Sequence, residues 1–283
     1  MIEIIKSGLY STIQDLGRFG YENYGVPISG SMDQLSSVLS NKLLGNNGND
    51  AVMEITMTGP ILKFLEETKI CITGADISPS INDNYIDINR VYQINKGDVL
   101  KFGKLKYGLR SYLSVSGGFL AGKIMNSRSM HSSITKSNKI TNGDNLKIKK
   151  LKNIKTKRTI IKVNYLEHFK NNIIEVLKGP EFNKLTTKQK QVLLNKTFTI
   201  SNNNDRMAYQ LKESFKNQLD PIITSLVMQG TVQLTKSGKI IILMRDSQTC
   251  GGYPRILQLS KNSINKLSQK HMGNRIKFKL IDL

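Results

Sequence analysis

The chain has 283 residues, 39% hydrophobic and 22% charged, enough apolar content to bury a core as one large domain or two smaller lobes. Its 42 Lys and Arg against 21 Asp and Glu give a formal charge of +21, which raises nucleic acid or an acidic membrane as a partner. No aromatic-studded RNA-binding strand, basic recognition helix or zinc module accompanies that charge, and no apolar run approaches the ~20 residues of a spanning helix, so neither specific nucleic acid nor a membrane is expected.

The first run, Met1-Ile2-Glu3-Ile4-Ile5-Lys6, is too short and too acidic for a secretory leader, and a cytoplasmic protein is expected. Strand-like runs recur along the chain: Ile2–Ser7, Val52–Met57, Lys69–Thr73, Val99–Phe102, Arg110–Val115, Phe198–Ser201, Thr231–Leu234, Lys239–Met244 and Arg275–Leu280. Turn residues separate most of them, which predicts a mainly β protein of barrel or sandwich type. Helices are few. One is predicted from Ser31, with Ser31 and Gln34 as a capping box, Leu35, Val38, Leu39 and Leu43 on one face, and Gly45 as its stop. A second covers Thr187–Asn195 behind a Thr186/Gln189 cap, and a third covers Ser263–Gln269.

One pattern occurs three times. Gly97-Asp98, Gly143-Asp144 and Gly273-Asn274 each make a turn from which an alternating strand departs. Two related β lobes, residues 1–148 and 163–283, joined by a lysine-rich segment over 149–162, are one reading; chance similarity between β-turns is the other. Lysine on such a segment also discourages edge-to-edge strand pairing.

Cys71 and Cys250 are too few for a disulfide framework, and Cys71 in an apolar strand reads as a buried thiol. His131, His168 and His271 are scattered, so no metal site is expected. Gly117-Gly118-Phe119-Leu120-Ala121-Gly122-Lys123 nearly matches a phosphate-binding loop. It has Ile124 where a magnesium-holding Ser or Thr belongs, and no helix signal follows.

Polar groups on glycine-rich loops remain: Asp15 and Arg18 around Gly17, Asp33, Glu54, Asp76, Arg110, Asp205-Arg206, and Gln248 and Tyr253 around Gly251-Gly252. Each alone suits a salt bridge, cap or turn. As a set, arginines and amides on such loops suit carboxylate and amide ligands.

Gln14-Asp15-Leu16-Gly17-Arg18, Gly25-Val26-Pro27, Ser29-Gly30, Met32-Asp33, Glu54-Ile55-Thr56, Gly74-Ala75-Asp76, Arg110-Ser111-Tyr112-Leu113, Asp205-Arg206-Met207 and Gln248-Thr249 with Gly251-Gly252-Tyr253-Pro254 run in order over nearly the whole chain. In this the chain resembles the allophanate hydrolase subunit 2 family, a biotin-dependent carboxyltransferase-like group. The resemblance implies a cyclophilin-like β-barrel architecture and a place beside 5-oxoprolinase subunits A and B. That complex opens 5-oxo-L-proline to L-glutamate with ATP, and no ATP motif is demonstrable in this chain. A carboxyltransferase module of a urea carboxylase and a non-enzymatic antagonist of a sensor-kinase inhibitor are the alternatives. The matched motifs make Gln14, Arg18, Ser29, Arg110, Arg128, Arg206, Gln248, Thr249 and Tyr253 the candidate substrate-binding residues, with Asp15 and Asp33 as candidate general bases. Five positions depart from the pattern: Met125-Asn126 and Met130 stand where relatives read Leu-Gly and Thr, Ala208 replaces a glycine, and Cys250 replaces a threonine.

Overall fold

The computed structural model describes residues 1–149 and 165–282. The lysine-rich connection expected over 149–162 lies, from residue 150 onward, outside the described residues. Two compact units make up the chain. The first contains Met1–Arg18 and the N-terminal chain from Ser29 onward; the second contains Phe19–Ile28 and the chain from Tyr165. Phe19–Ile28, inside the lobe expected over 1–148, thus groups with the C-terminal unit.

The first unit carries β1 (Ile2–Lys6), β2 (Tyr10–Gln14), α1 (Gln34–Leu44), β3 (Val52–Thr56), β4 (Ile61–Phe64), β5 (Thr68–Asp76) and β6 (Pro79–Ile81). It continues with β7 (Asn84–Tyr85), β8 (Val91–Ile94), β9 (Val99–Phe102), β10 (Tyr107–Val115) and β11 (Asn145–Leu146). One sheet runs β11-β1-β4-β9-β6-β7 and the other β2-β3-β10-β5-β8. Ile2, Ile4, Leu62, Phe64 and Leu100 of the first sheet form one core with Ile13, Met53, Ile55, Ile72 and Leu113 of the second. Strand alternation sends the intervening residues of the second sheet to its other side, where α1 packs on β5 and β10.

That helix differs from its expected form at both its start and its face. Asp33, not Ser31, is the N-cap, accepting from the Ser36 N–H at 3.1 Å and the Ser36 hydroxyl at 2.5 Å. The buried face is Ser36, Ser37, Leu39, Ser40, Asn41 and Leu44, while Leu35 is exposed. Small hydroxyl side chains let the helix lie close on a sheet face that is itself polar, and the Thr73 hydroxyl donates to the Ser36 carbonyl at 2.7 Å.

The second unit carries α2 (Tyr165–Lys170), β12 (Ile173–Lys178), α3 (Thr187–Asn195), β13 (Phe198–Asn204), β14 (Ala208–Leu211) and β15 (Ser225–Leu226). After these come β16 (Thr231–Leu234), β17 (Ile240–Leu243), β18 (Cys250–Gly251), β19 (Arg255–Leu259), α4 (Lys261–Ser268) and β20 (Arg275–Leu280). A closed seven-stranded barrel runs β12-β19-β16-β17-β14-β13-β20, and the parallel β12–β20 pair closes it. Phe198 and Phe278, with ring centroids 5.6 Å apart, pack inside together with buried Val176, Ile242 and Leu257. The Thr186/Gln189 capping box of α3 forms as predicted. Helix α4 starts earlier than expected, at Lys261, because Ser260 caps it through the Ser263 N–H.

The three repeated turns are one device built three times. Gly97, Gly143 and Gly273 all have positive φ (96°, 82° and 87°). In each, the following Asp or Asn side chain accepts from the N–H three residues earlier: Asp98 from Asn95 at 2.8 Å, Asp144 from Thr141 at 2.7 Å, Asn274 from His271 at 3.0 Å. Each glycine N–H then donates to a strand carbonyl, of Phe64, Ile4 and Ile200 respectively. Gly117 and Gly118 form a turn after β10, and no helix follows among the described residues up to Lys149. No helix of the described residues is long and apolar enough to cross a membrane.

Both cysteines are free. Burial pushes the Cys71 thiol up to about 12, whereas Cys250 is exposed. The thiolate is the reactive form, so a thiol reagent at neutral pH should titrate one cysteine in the folded chain and the second only in denaturant. Two fast thiols in the native protein contradict this placement of Cys71.

Candidate functional site

In the first unit the site is built on a polar row that crosses the sheet. Thr12, Glu54, Tyr112 and Thr73 stand opposite one another on β2, β3, β10 and β5. This row lies under the start of α1, whose first N–H groups have no partner within the helix. Glu54 Oε2 accepts from the Met32 N–H at 2.7 Å and from the Tyr112 hydroxyl at 2.9 Å, and that hydroxyl accepts from the Asp33 N–H at 2.7 Å. Burial, with the Glu54 and Asp33 charges beside it, holds the Tyr112 phenol well above its ordinary range. The phenol therefore stays neutral and keeps donating to Glu54. Arg110 Nε sits 3.9 Å from Glu54 Oε1.

The Gln14–Arg18 and Ser29–Asp33 loops meet beside this row. The Ser31 N–H donates to the Asp15 carbonyl at 2.8 Å, and Gln34 Nε2 donates to the Leu16 carbonyl at 3.2 Å. Gly30 must be glycine here: at φ 91° a Cβ would lie 2.8 Å from the Leu16 carbonyl. The Asp15 carboxylate accepts from the Gly17 N–H (2.9 Å), the Ser127 hydroxyl (2.6 Å), the Arg128 N–H (2.6 Å) and the Ser129 hydroxyl (2.7 Å). Arg18, 0% exposed, donates to the Ser129 carbonyl, and Gln14 Nε2 donates to Thr12 Oγ1 and the Met130 carbonyl, both at 3.1 Å. Asp15 and Arg18 thus seize the same distant loop from two sides. A two-residue hairpin turn precedes that loop, with Met125 at φ 51° and Asn126 at φ 61°. Both central residues are left-handed, a conformation that glycine adopts freely and asparagine tolerates.

Most candidate arginines are committed inside the protein. The Arg128 guanidinium donates to the Ala121 carbonyl, and Arg206 makes a forked pair with Asp246 at 2.8 and 3.0 Å. Asp15, Arg128, Lys123, Asn49 and Asn126 line a cavity of about 270 Å³ in the first unit. Gln248, Thr249 and Tyr253 belong to the second unit. There Gln248 and Tyr253 line a cavity of about 520 Å³ with Gln233, Gln210, Leu243 and Asn204. Sequence reasoning passed over Gln233 and Asp246. A glutamine inside the apolar run Thr231–Leu234 was the available signal for the first. Nothing in the local pattern marked Asp246 as the partner of Arg206, forty positions away in the chain. Among the described residues no group of His, Cys, Asp and Glu is arranged to hold a metal ion.

Comparison with known proteins places this arrangement. The 5-oxoprolinase C subunit of Haemophilus influenzae is 30% identical over 289 residues, covering 100% of this chain and 92% of that protein. Its Escherichia coli counterpart is 29% identical over 284 residues, covering 98% and 90%. The crystal structure of Kluyveromyces lactis urea carboxylase matches with a TM-score of 0.91 at 25% identity, covering 99% of this chain and 27% of that one. The family model for the carboxyltransferase domain, subdomain A and B, matches residues 24–280, and with a relative at 30% identity along its whole length the chain belongs to that family.

Proposed function

We propose that this chain works as the C subunit of an ATP-dependent 5-oxoprolinase, opening the lactam of 5-oxo-L-proline to L-glutamate together with A and B subunits. The observation that carries this is length: the two bacterial 5-oxoprolinase relatives match end to end, with 92% and 90% of their own residues covered. In the urea carboxylase the same module is 27% of a larger chain. That likeness supports a second reading, a carboxyltransferase module, which needs a biotin carboxylase and a biotinylated carrier as partners.

A lactam amide is a poor electrophile, and ATP can activate its carbonyl oxygen before water attacks. Gly117–Lys123 offers this chain's nearest approach to a phosphate loop, and it is a turn without a following helix. Nucleotide chemistry is therefore assigned to the partner subunits. The Asp15 carboxylate accepts from four protein donors and that of Asp33 from two on Ser36, so their proposed role is to position the loop at 127–129 and the start of α1, not to take a proton from water. Gln248, Thr249 and Tyr253, with the partly exposed Arg128, make up the solvent-accessible part of the candidate set, and the first three carry no bond to a buried carboxylate or carbonyl among the described residues that would hold them from substrate.

Purified alone, the chain should show no 5-oxoproline-dependent ATP hydrolysis; co-purified with A and B subunits, it should. Turnover by the single chain, or an assembled complex that hydrolyses ATP equally well without 5-oxoproline, contradicts the proposal. Biotin-dependent carboxylation of urea by a reconstituted mixture would establish the second reading instead.

A further inference from the structure

We infer that the second unit holds a binding site for the cis edge of a cyclic amide, read by the side chains of Gln233 and Gln248. The identification of the ring as a lactam rests on the function proposed above; the hydrogen-bond argument uses this cavity alone.

Gln233 lies in β16 with its side chain on the side opposite to buried Val232 and Leu234, and it is 1% exposed. Its Nε2 has no hydrogen-bond acceptor among the described residues. Gln248, beyond the end of β17, has a buried Oε1 that likewise meets no donor among the described residues. A buried amide without partners is unfavourable, and proteins retain such groups mainly where something else completes the bonding. Both glutamines line the same cavity of about 520 Å³, a volume in the range of small-molecule sites. Gly251 keeps this geometry open: a Cβ there would come within 2.6 Å of Gln233 Nε2.

The chemistry of the ligand follows from what is presented. An N–H donor and a carbonyl acceptor in one cavity lining complement a group that offers its own carbonyl and N–H side by side. Ordinary trans peptides point these to opposite edges; lactams and cyclic ureas place them on the same edge. The charged residue of the lining is Asp205, whose Oδ1 already accepts from the Met207 and Ala208 N–H groups, and the lining holds no Lys, Arg or His. That balance selects an uncharged ring edge and leaves any carboxylate on the ligand turned toward solvent. Ile241 and Leu243 supply apolar wall for the ring carbons.

The test is a ligand-observed NMR titration of the full chain with 2-pyrrolidinone, 2-imidazolidinone, 5-oxo-L-proline, N-methyl-2-pyrrolidinone and L-proline. The two unsubstituted neutral rings should bind, while N-methyl-2-pyrrolidinone, which lacks the N–H, should bind at least tenfold more weakly, as should L-proline, which lacks the carbonyl. Binding of 5-oxo-L-proline at a strength like that of 2-pyrrolidinone assigns the site to lactams; a clear preference for 2-imidazolidinone assigns it to ureido rings. Gln233→Leu removes an unpartnered donor at similar volume, so it should leave the melting temperature unchanged or raised and abolish ring binding. Should Gln233→Leu unfold the chain, Gln248→Met, which removes the acceptor at similar length from a half-buried position, should weaken ring binding at least tenfold, and undiminished binding by that variant overturns the inference instead. No binding of any ring to the wild-type chain, equal binding of the N-methyl ring, or undiminished binding by a folded Gln233→Leu variant each overturns the inference. A complex that fails to hydrolyse ATP with 5-oxoproline contradicts the proposed function and leaves this titration to decide the site.

Discussion

Asp15→Ala is expected to destabilise the first unit by about 3 kcal/mol, because four donors lose one buried charged acceptor at once. Single hydrogen bonds to charged groups contribute roughly 1.5–3 kcal/mol, and removal of the carboxylate also strands the Ser127 and Ser129 hydroxyls. Urea denaturation of the full chain measures the loss. Limited trypsin digestion locates it, since the Arg128 N–H is among the released donors and Arg128 should become a cleavage site. Asp15→Asn separates positioning from proton transfer. An asparagine keeps one acceptor oxygen and the shape of the loop, so a positioning Asp15 predicts an assembled complex with substantial activity per folded molecule. A general base predicts near-complete loss with normal folding. Unchanged stability together with trypsin resistance in Asp15→Ala would falsify the anchoring role.

The fold was legible where the chain repeats a local rule. Strands such as Val99–Phe102 and Arg275–Leu280 announced themselves by alternation behind a glycine turn, and the three turns proved equivalent bond for bond. The strand at Tyr10–Gln14 was missed because its neighbours supply the signal: Tyr10-Ser11-Thr12 is polar in sequence, yet Ser11 and Thr12 are buried and the Ile140 N–H donates to the Ser11 carbonyl. The same cause displaced the face of α1. Periodicity sent Leu35, Val38 and Leu43 inward, but the sheet beneath offers Thr73, Ser114 and Tyr112, and small polar residues pack closest to such a surface. The sites followed a similar pattern. Glycine loops marked Asp15, Arg18 and Gln248 as candidates, whereas their partners could not be read. Ser129 and Asp246 are joined to the flagged loops only by tertiary contact, and a sequence shows charge without showing what neutralises it.

Arg206 gives the clearest opposition between a ligand anchor and an internal brace. Its guanidinium meets both Asp246 oxygens, and the Asp246 N–H donates to the Arg206 carbonyl at 2.9 Å, so the pair ties the chain just before β14 to the chain just after β17. Both side chains are nearly buried. Arg206→Ala leaves Asp246 desolvated without a counter-charge, and Asp246→Ala does the same to the guanidinium, so each single change should cost about 3–5 kcal/mol. The double variant Arg206→Met with Asp246→Leu removes both charges at similar volume and should recover most of that loss, because a buried pair contributes little net stability over apolar packing. Arg206→Lys keeps the charge without the fork and should fall between wild type and Arg206→Ala. Denaturation midpoints for the four variants decide the brace. Were Arg206 instead a carboxylate anchor for substrate, Arg206→Ala would melt like wild type and the assembled complex would lose affinity for 5-oxoproline. In that event the Asp246 pairing would be a resting arrangement that substrate displaces, and the double variant would be folded but inactive.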